Sequence, residues 1–303
     1  MNNAIVAGAA SMTRGRSWVR ALRPHQWLKN LLVFLPVILA HRLLDPTAVR
    51  GALIATVAFC FCASSAYVVN DVLDRAADRR HPTKQSRPFA SGALPVRAGL
   101  AVAGLLLALA FIVASAAPAA FPVWLGLYYS LTIAYSLWFK RVPVLDVLIL
   151  AALYTLRVLA GGAAARVEPS FWLLAFSMFI FLSLALVKRY AEIEATTASP
   201  GDLVLGRGYR GDDVALLLGI GPAAGFVAVL VLALYINSPE SLLHYRHPQV
   251  LWLICPLLLY WVTRVWFLTA RGRMHDDPVV FAARDWVSLV VAGLTAAAVI
   301  AAT

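Results

Sequence analysis

The sequence predicts an all-α integral membrane protein with about nine transmembrane helices. Three observations carry that class. Hydrophobic residues make up 61% of the 303-residue chain and charged residues only 14%. The mean hydropathy is +0.78, and the apolar residues gather in stretches close to the roughly 20 residues that a bilayer core requires. Such a composition excludes an ordinary water-soluble domain.

Taken in order, the expected spans are 27–44, 50–70, 98–116, 120–139, 144–163, 170–188, 213–236, 249–268 and 284–302. The stretches between them are too short and too apolar for a separate soluble domain, so 27–303 reads as one membrane domain preceded by a basic amphipathic segment, 1–26. No internal repeat is evident. The apolar run Ala4 to Ala10 leads into Met12-Thr13-Arg14-Gly15-Arg16 without a convincing cleavage site, and no signal peptide is expected. Arg14, Arg16, Arg20, Arg23 and Lys29 alternate with Trp18 and Trp27, which suits a segment at an anionic membrane surface or a bare topology signal.

Orientation follows from the cations. With the N-terminus cytoplasmic, that side holds 21 of the 26 Lys and Arg residues, all but Arg42, Arg50, Arg166, Arg246 and the intraspan Arg157. A multi-pass protein of the plasma (inner) membrane is expected, with its N-terminus and polar loops cytoplasmic. The net charge of +11 then reflects insertion and attraction to membrane lipids. A nucleic-acid partner has no supporting motif. Cys60, Cys62 and Cys255 fall inside spans as packing residues, and the six His residues are scattered, so neither a zinc site nor a Cys/His catalytic pair is indicated.

Chemistry concentrates at Asn70-Asp71-Val72-Leu73-Asp74-Arg75-Ala76-Ala77-Asp78. At 100° per residue a continuous helix places Asp71, Asp74 and Asp78 within about a 60° arc. Their repulsion favours a cation among them, and an oxygen-only set suits Mg2+, which keeps coordination positions for a phosphate. The alternative is a solvated helix end paired with Arg75, Arg79 and Arg80. Downstream, Pro82 is expected to end the helix after His81, so that Lys84 and Arg87 fold back over a metal-held anion.

A second polar cluster closes the sixth span at Lys188-Arg189-Tyr190-Ala191-Glu192-Ile193-Glu194. Lys188 and Glu192 lie one turn apart and can face one cavity, with Tyr190 positioning an oxygen or a ring; a snorkelling belt is the alternative. Arg157 stands inside the fifth span, where a central arginine costs roughly 2.5–3.5 kcal/mol on insertion scales, so it must face the interior. Asp146 is roughly 16 Å away along the same helix and cannot pair with it. A phosphate or a carboxylate from another span, or a structural hydrogen bond, remain as partners.

These residues resemble the UbiA superfamily of intramembrane prenyltransferases, through Asn-Asp-x-x-Asp-x-x-x-Asp at 70–78, nine apolar spans and polar loops after spans 2 and 6. Within it the chain is most similar to the decaprenyl-phosphate phosphoribosyltransferase branch. The matching stretches are Arg23-Pro24-His25-Gln26-Trp27-Leu28-Lys29-Asn30, Tyr67 to Asp71, Asp78 to Lys84, Arg87-Pro88, Arg157 with Ala160-Gly161-Gly162, and Lys188 to Glu192. The resemblance implies a helical bundle with a lipid-open central cavity and Mg2+ on Asp71, Asp74 and Asp78. It also implies donor phosphate contacts from Lys29, Lys84, Arg87, Lys188 and Arg189. Asn30, Asn70, Arg157, Tyr190 and Glu192 join them as substrate-binding candidates, and Asp71, Asp74 and Lys188 are the catalytic candidates. Where typical members carry a second Asp-rich motif, this chain has more cations, which fits a donor with an additional phosphate.

The activity so implied moves 5-phosphoribosyl from phosphoribosyl pyrophosphate to a polyprenyl (decaprenyl-type) phosphate, a cell-wall precursor step. Prenyl transfer from a polyprenyl diphosphate to an aromatic or other lipid acceptor is the second enzymatic reading, and anion or lipid transport a non-enzymatic one. Gly161-Gly162 and the Ala-rich last span allow close helix packing within one chain or in a homo-oligomer.

Overall fold

The computed structural model describes residues 14–80, 84–196, 201–203, 207–274 and 277–303. The run Ala4 to Ala10, His81 and the expected helix end at Pro82 lie outside the described residues. Among the described residues six helices are long and apolar enough to cross a membrane: Pro46–Leu73, Val96–Ala114, Leu145–Ala165, Phe171–Thr196, Asp213–Ile236 and Pro248–Ala270. Ala120–Leu137 and the shorter Trp286–Ala302 supply two more of the expected spans. The chain is an integral membrane protein. Its contacts divide it into two compact units, Met1–Phe139 with Leu156–Glu168, and Lys140–Thr155 with Pro169–Thr303.

The first unit corrects the expected span 27–44. Residues 14–22 form helix α1, which ends at Arg23 in the left-handed region (φ 52°). A 3-10 segment, Pro24–Phe34, follows, then a five-residue helix α2, Leu35–Leu39, with a proline in its first turn. Pro36 is pre-set for a helix start and lacks the N–H that an uninterrupted helix would need, so the chain breaks into two pieces there. His41 (φ 55°) completes the turn.

Helix α3, Pro46–Leu73, opens on Asp45, whose carboxylate accepts from the Thr47 and Ala48 amides at 2.8 and 3.3 Å. The Arg42 hydrogen bond, followed by those backbone donors, holds the Asp45 carboxyl below its ordinary range. Helix α3 packs against α5 (Val96–Ala114), α6 (Ala120–Leu137) and the 3-10 segment.

Glycine sets the approach at two points in this unit. A Cβ on Gly161 would stand 2.1 Å from the Val33 carbonyl oxygen, and one on Gly51 would stand 2.2 Å from that of Ala164. Gly161 thus spends its small size on packing within the chain. Because backbone cannot swing aside as a side chain can, Gly161→Ala is expected to lower stability by about 1–3 kcal/mol. Its thermal unfolding midpoint in detergent should fall, whereas Gly104→Ala, which meets nothing within 4 Å, should leave the midpoint unchanged.

In the second unit α8, Phe171–Thr196, packs on α9, Asp213–Ile236, which packs on α11, Ile254–Ala270. Ser183 and Trp266 on these helices find internal partners, as hydrocarbon surroundings demand. Ser183 donates to the Gly221 carbonyl at 2.7 Å and accepts from Trp266 Nε1 at 3.0 Å. Asp285 caps α13, Trp286–Ala302, and takes a two-pronged hydrogen bond from Arg264 at 2.7 and 3.0 Å. Among the described residues the only β feature is an isolated bridge, Leu203 to Arg210.

Candidate active site

In the first unit the acidic motif does not continue as one helix. Helix α3 stops at Leu73; Asp74 (φ −85°, ψ 0°) leaves the helical region, and a single turn, α4 (Arg75–Asp78), restarts the winding. The expected common face of Asp71, Asp74 and Asp78 is therefore broken at its middle member. Asp74 sits half-buried at the turn, its amide still donating to the Asn70 carbonyl at 2.9 Å.

Asp71 and Asp78 are buried, at 1% and 4% exposure, and share one cation. Arg87 Nη1 lies 3.2 Å from Asp71 Oδ1 and 2.9 Å from Asp78 Oδ2, while Arg23 Nη2 donates to the same Asp71 oxygen at 2.6 Å. Of the neighbouring arginines, Arg79 donates its Nε to the Ala90 carbonyl at 2.8 Å. Two residues after Arg87, Phe89 joins an apolar cluster with Leu94, Ala21, Val68 and Ala103, and Trp18 meets it edge-on at 6.3 Å. Lys84 is half-buried in the short 3-10 turn Lys84–Ser86, and Asn70 is half-buried too.

Arg157 faces the interior of the first unit, as its burial at 4% exposure shows. Its Nε donates to Asn30 Oδ1 at 3.2 Å and its Nη2 to the Tyr128 hydroxyl at 2.6 Å, with the guanidinium 4.6 Å from the Tyr128 ring centre. Asn30 is fully buried and donates to Cys60 Sγ at 3.3 Å; Lys29 beside it is 5% exposed. A neutral amide, a hydroxyl and an aromatic face thus contribute to solvating the buried cation.

The second unit holds the other cluster. Arg189 is fully buried, lies 2.5 Å from Asp146 Oδ2 and also pairs with Glu192. Tyr209 closes over this pair: its hydroxyl donates to Asp146 Oδ1 at 2.6 Å and accepts from the Val144 amide at 2.8 Å. Burial first, and then the hydrogen bond to Asp146, raise the Tyr209 phenol above its ordinary value, so it remains a donor. Arg207 reaches Glu192 at 3.6 Å.

Lys188 and Glu192, one turn apart, have different ion-pair partners. Lys188, 39% exposed, lies 3.3 Å from Asp277, which also accepts from the Tyr154 hydroxyl at 3.2 Å. Tyr190 is buried edge-on to Trp266 at 6.2 Å.

Six participants had escaped the sequence reading as parts of these clusters: Arg23, Tyr128, Asp146, Arg207, Tyr209 and Asp277. Only Asp277 carried a local signal, since Asp-Pro is a helix-start pattern and Asp277 does cap Pro278–Ala282.

Among the described residues no three His, Cys, Asp or Glu side chains stand together as a ready metal cage. The donor chemistry of the acidic motif nevertheless fits Mg2+. Asp71 and Asp78 offer only oxygen, they are already gathered about a single positive group, and no soft ligand intrudes.

Fold and site together define a polytopic helical membrane protein with buried carboxylate–guanidinium clusters at its helix ends. Residues 31–289 match the UbiA prenyltransferase family, and the chain belongs to that family. It is 35% identical to uncharacterized protein y4nM of Sinorhizobium fredii over 95% of this chain, and 35% identical to nodulation protein NoeC of Azorhizobium caulinodans over 90% of this chain and 89% of NoeC. A decaprenyl-phosphate phosphoribosyltransferase of Corynebacterium glutamicum is 40% identical over 58% of this chain. The chain spans 56% of the Sinorhizobium protein and 54% of the Corynebacterium one. A UbiA homologue from Archaeoglobus fulgidus, solved with GPP and Mg2+, shares the fold at TM-score 0.71 and 18% identity, over 94% of this chain and 99% of that one.

Proposed function

We propose that the protein is a Mg2+-dependent transferase moving 5-phosphoribosyl from phosphoribosyl pyrophosphate to a polyprenyl phosphate, in the plasma membrane with its polar loops cytoplasmic. The observation that carries this reading is the convergence of Arg23 and Arg87 on Asp71, with Asp78 on the far side of Arg87. Two acids and two guanidinium forks in one place are the parts needed to receive a highly charged leaving group. The similarity to the Corynebacterium enzyme supports the choice of donor and acceptor.

Asp71 and Asp78, with Asp74 at the turn, would hold Mg2+, which supplies Lewis-acid neutralisation of the diphosphate. Arg87 and Arg23 orient the diphosphate oxygens through paired N–H donors, and Lys84 adds a point charge from its loop. The pyrophosphate departs from the anomeric carbon with the bonding electron pair as the acceptor phosphate oxygen forms the new C–O bond. That oxygen is already anionic, so no general base is required. Lys188, half-exposed and steadied by Asp277, is the cation we assign to the acceptor phosphate. Arg157 and Arg189, each committed to buried partners, serve as positioning residues.

Prenyl transfer is the second reading, favoured by the GPP and Mg2+ bound in the Archaeoglobus homologue. Donor competition in lipid nanodiscs separates the two. Labelled phosphoribosyl pyrophosphate with decaprenyl phosphate and Mg2+ is expected to label the lipid, and labelled geranyl diphosphate to label none. The opposite pattern selects prenyl transfer.

A further inference from the structure

A cavity of about 500 Å3 opens in the first unit between the end of helix α1 and the acidic motif. Its polar lining is Arg20, Arg23, His25, Asp71 and Arg87. Three guanidiniums thus face one carboxylate, and Arg87 is shared further with Asp78. The wall formed by Arg20 and His25 brings positive or neutral groups alone, and both side chains reach the exposed mouth. A metal-held diphosphate needs carboxylates; this wall has none. An anion recognised there must be held by nitrogen donors, the arrangement that suits a phosphate monoester.

The backbone points the same way. Helix α1 ends with Arg23 in the left-handed conformation, φ 52° and ψ 57°, immediately before Pro24. This is a C-terminal position where glycine is favoured and a β-carbon is disfavoured. Arginine there loses conformational ease, yet it brings a guanidinium to Asp71 and over the Tyr67 ring at 5.2 Å. Strain retained at a charged pocket marks a functional constraint. The segment is also anchored rather than loosely adsorbed: Ala21 is fully buried, and Trp18 and Leu22 pack against the Val68, Phe89 and Leu94 cluster.

We propose that this pocket binds a phosphate monoester, with Arg20 and His25 as its recognition groups beside the Arg23 and Arg87 of the diphosphate seat. The proposal rests on the phosphoribosyl-transfer reading, in which two substrates carry such a group: the 5-phosphate of the donor and the terminal phosphate of the lipid acceptor. The chemistry is shared, and the two sources are separable by probe.

The test uses the full chain in neutral-lipid nanodiscs and measures equilibrium binding of ribose 5-phosphate and of farnesyl phosphate. The wild type is compared with Arg20→Gln/His25→Gln, with Arg20→Lys, and with Arg14→Gln as a control that removes a surface charge from the same helix outside the pocket. The double variant is expected to weaken one probe at least about tenfold while Arg20→Lys retains most of the affinity. Arg14→Gln should change neither probe. Loss of ribose 5-phosphate names the donor as occupant; loss of farnesyl phosphate names the acceptor.

Wild-type affinity for both probes in the double variant, binding of neither probe by the wild type, or an equal loss in Arg14→Gln would each overturn the proposal. An unchanged thermal midpoint in the double variant excludes misfolding as the cause. If labelled phosphoribosyl pyrophosphate is not transferred but farnesyl phosphate binding still depends on Arg20 and His25, the transfer reading fails and the pocket stands.

Discussion

Asp71→Asn is expected to reduce transfer by about a thousandfold at saturating Mg2+, the loss typical of removing a principal electrostatic contact to a leaving group. Asparagine preserves shape and one acceptor oxygen, so the fold should persist. What disappears is the charge that faces Arg23 at 2.6 Å and Arg87 at 3.2 Å. Those arginines are 21% and 25% exposed, and Arg87 keeps Asp78, so water and the second acid offset much of the penalty and the stability loss should be only about 1–2 kcal/mol. Activity and unfolding midpoint measured on the same preparation separate the two effects. Near-complete activity in the variant, with its Mg2+ dependence intact, would remove Asp71 from the reaction.

The largest effect on stability is expected at Arg189→Met. Arg189 and Asp146 are each 0% exposed and 2.5 Å apart, and removing one member of such a pair leaves a charge with no solvent to receive it, at a cost of about 3–5 kcal/mol. For a chain of this size that corresponds to a fall of roughly 10 °C in the unfolding midpoint. Glu192, which also pairs with Arg189, loses a partner as well, while Tyr209 keeps its hydrogen bond to Asp146. The double variant Asp146→Leu with Arg189→Met removes both charges and should unfold at a higher temperature than Arg189→Met alone. Equal or additive losses would show that the two residues do not act as a pair. Measured beside them, Lys188→Met should lower transfer while leaving the midpoint close to wild type, because Lys188 is 39% exposed and its pair with Asp277 is partly screened.

Hydropathy over some 20 residues is a local property, and it located eight helical spans because each can be judged without its neighbours. The first span needed more than that. Its average is apolar, but Pro36 and the close approach of the Val33 backbone to Gly161 divide it, and the second of these is a tertiary contact. The acidic motif shows the same limit on a smaller scale. Residue types and their approximate placement at a helix end were legible, whereas the departure of Asp74 from helical geometry breaks the phase that related Asp71 to Asp78.

Charge partners were the least legible feature. Arg23 and Asp71 are 48 residues apart, and Tyr209 and Asp146 63; nothing local links them. Arg157 illustrates why counting opposite charges is a poor guide inside a membrane. Asn30 and Tyr128 bond it, while Asp146 on its own helix is taken by Arg189 and Tyr209. The loop containing Tyr209, featureless as sequence, acts as a cover over that buried pair.

The account turns on Asp71 and Asp78 forming the metal-dependent seat of the diphosphate. A structure of the protein with Mn2+ in place of Mg2+ and phosphoribosyl pyrophosphate, with the metal located by its anomalous signal, addresses this most directly. Metal density within about 2.0–2.3 Å of carboxylate oxygens of Asp71 and Asp78, with the diphosphate contacting Arg87, is the result the account predicts. Metal and diphosphate bound elsewhere, with Arg87 still bridging the two acids, would contradict it.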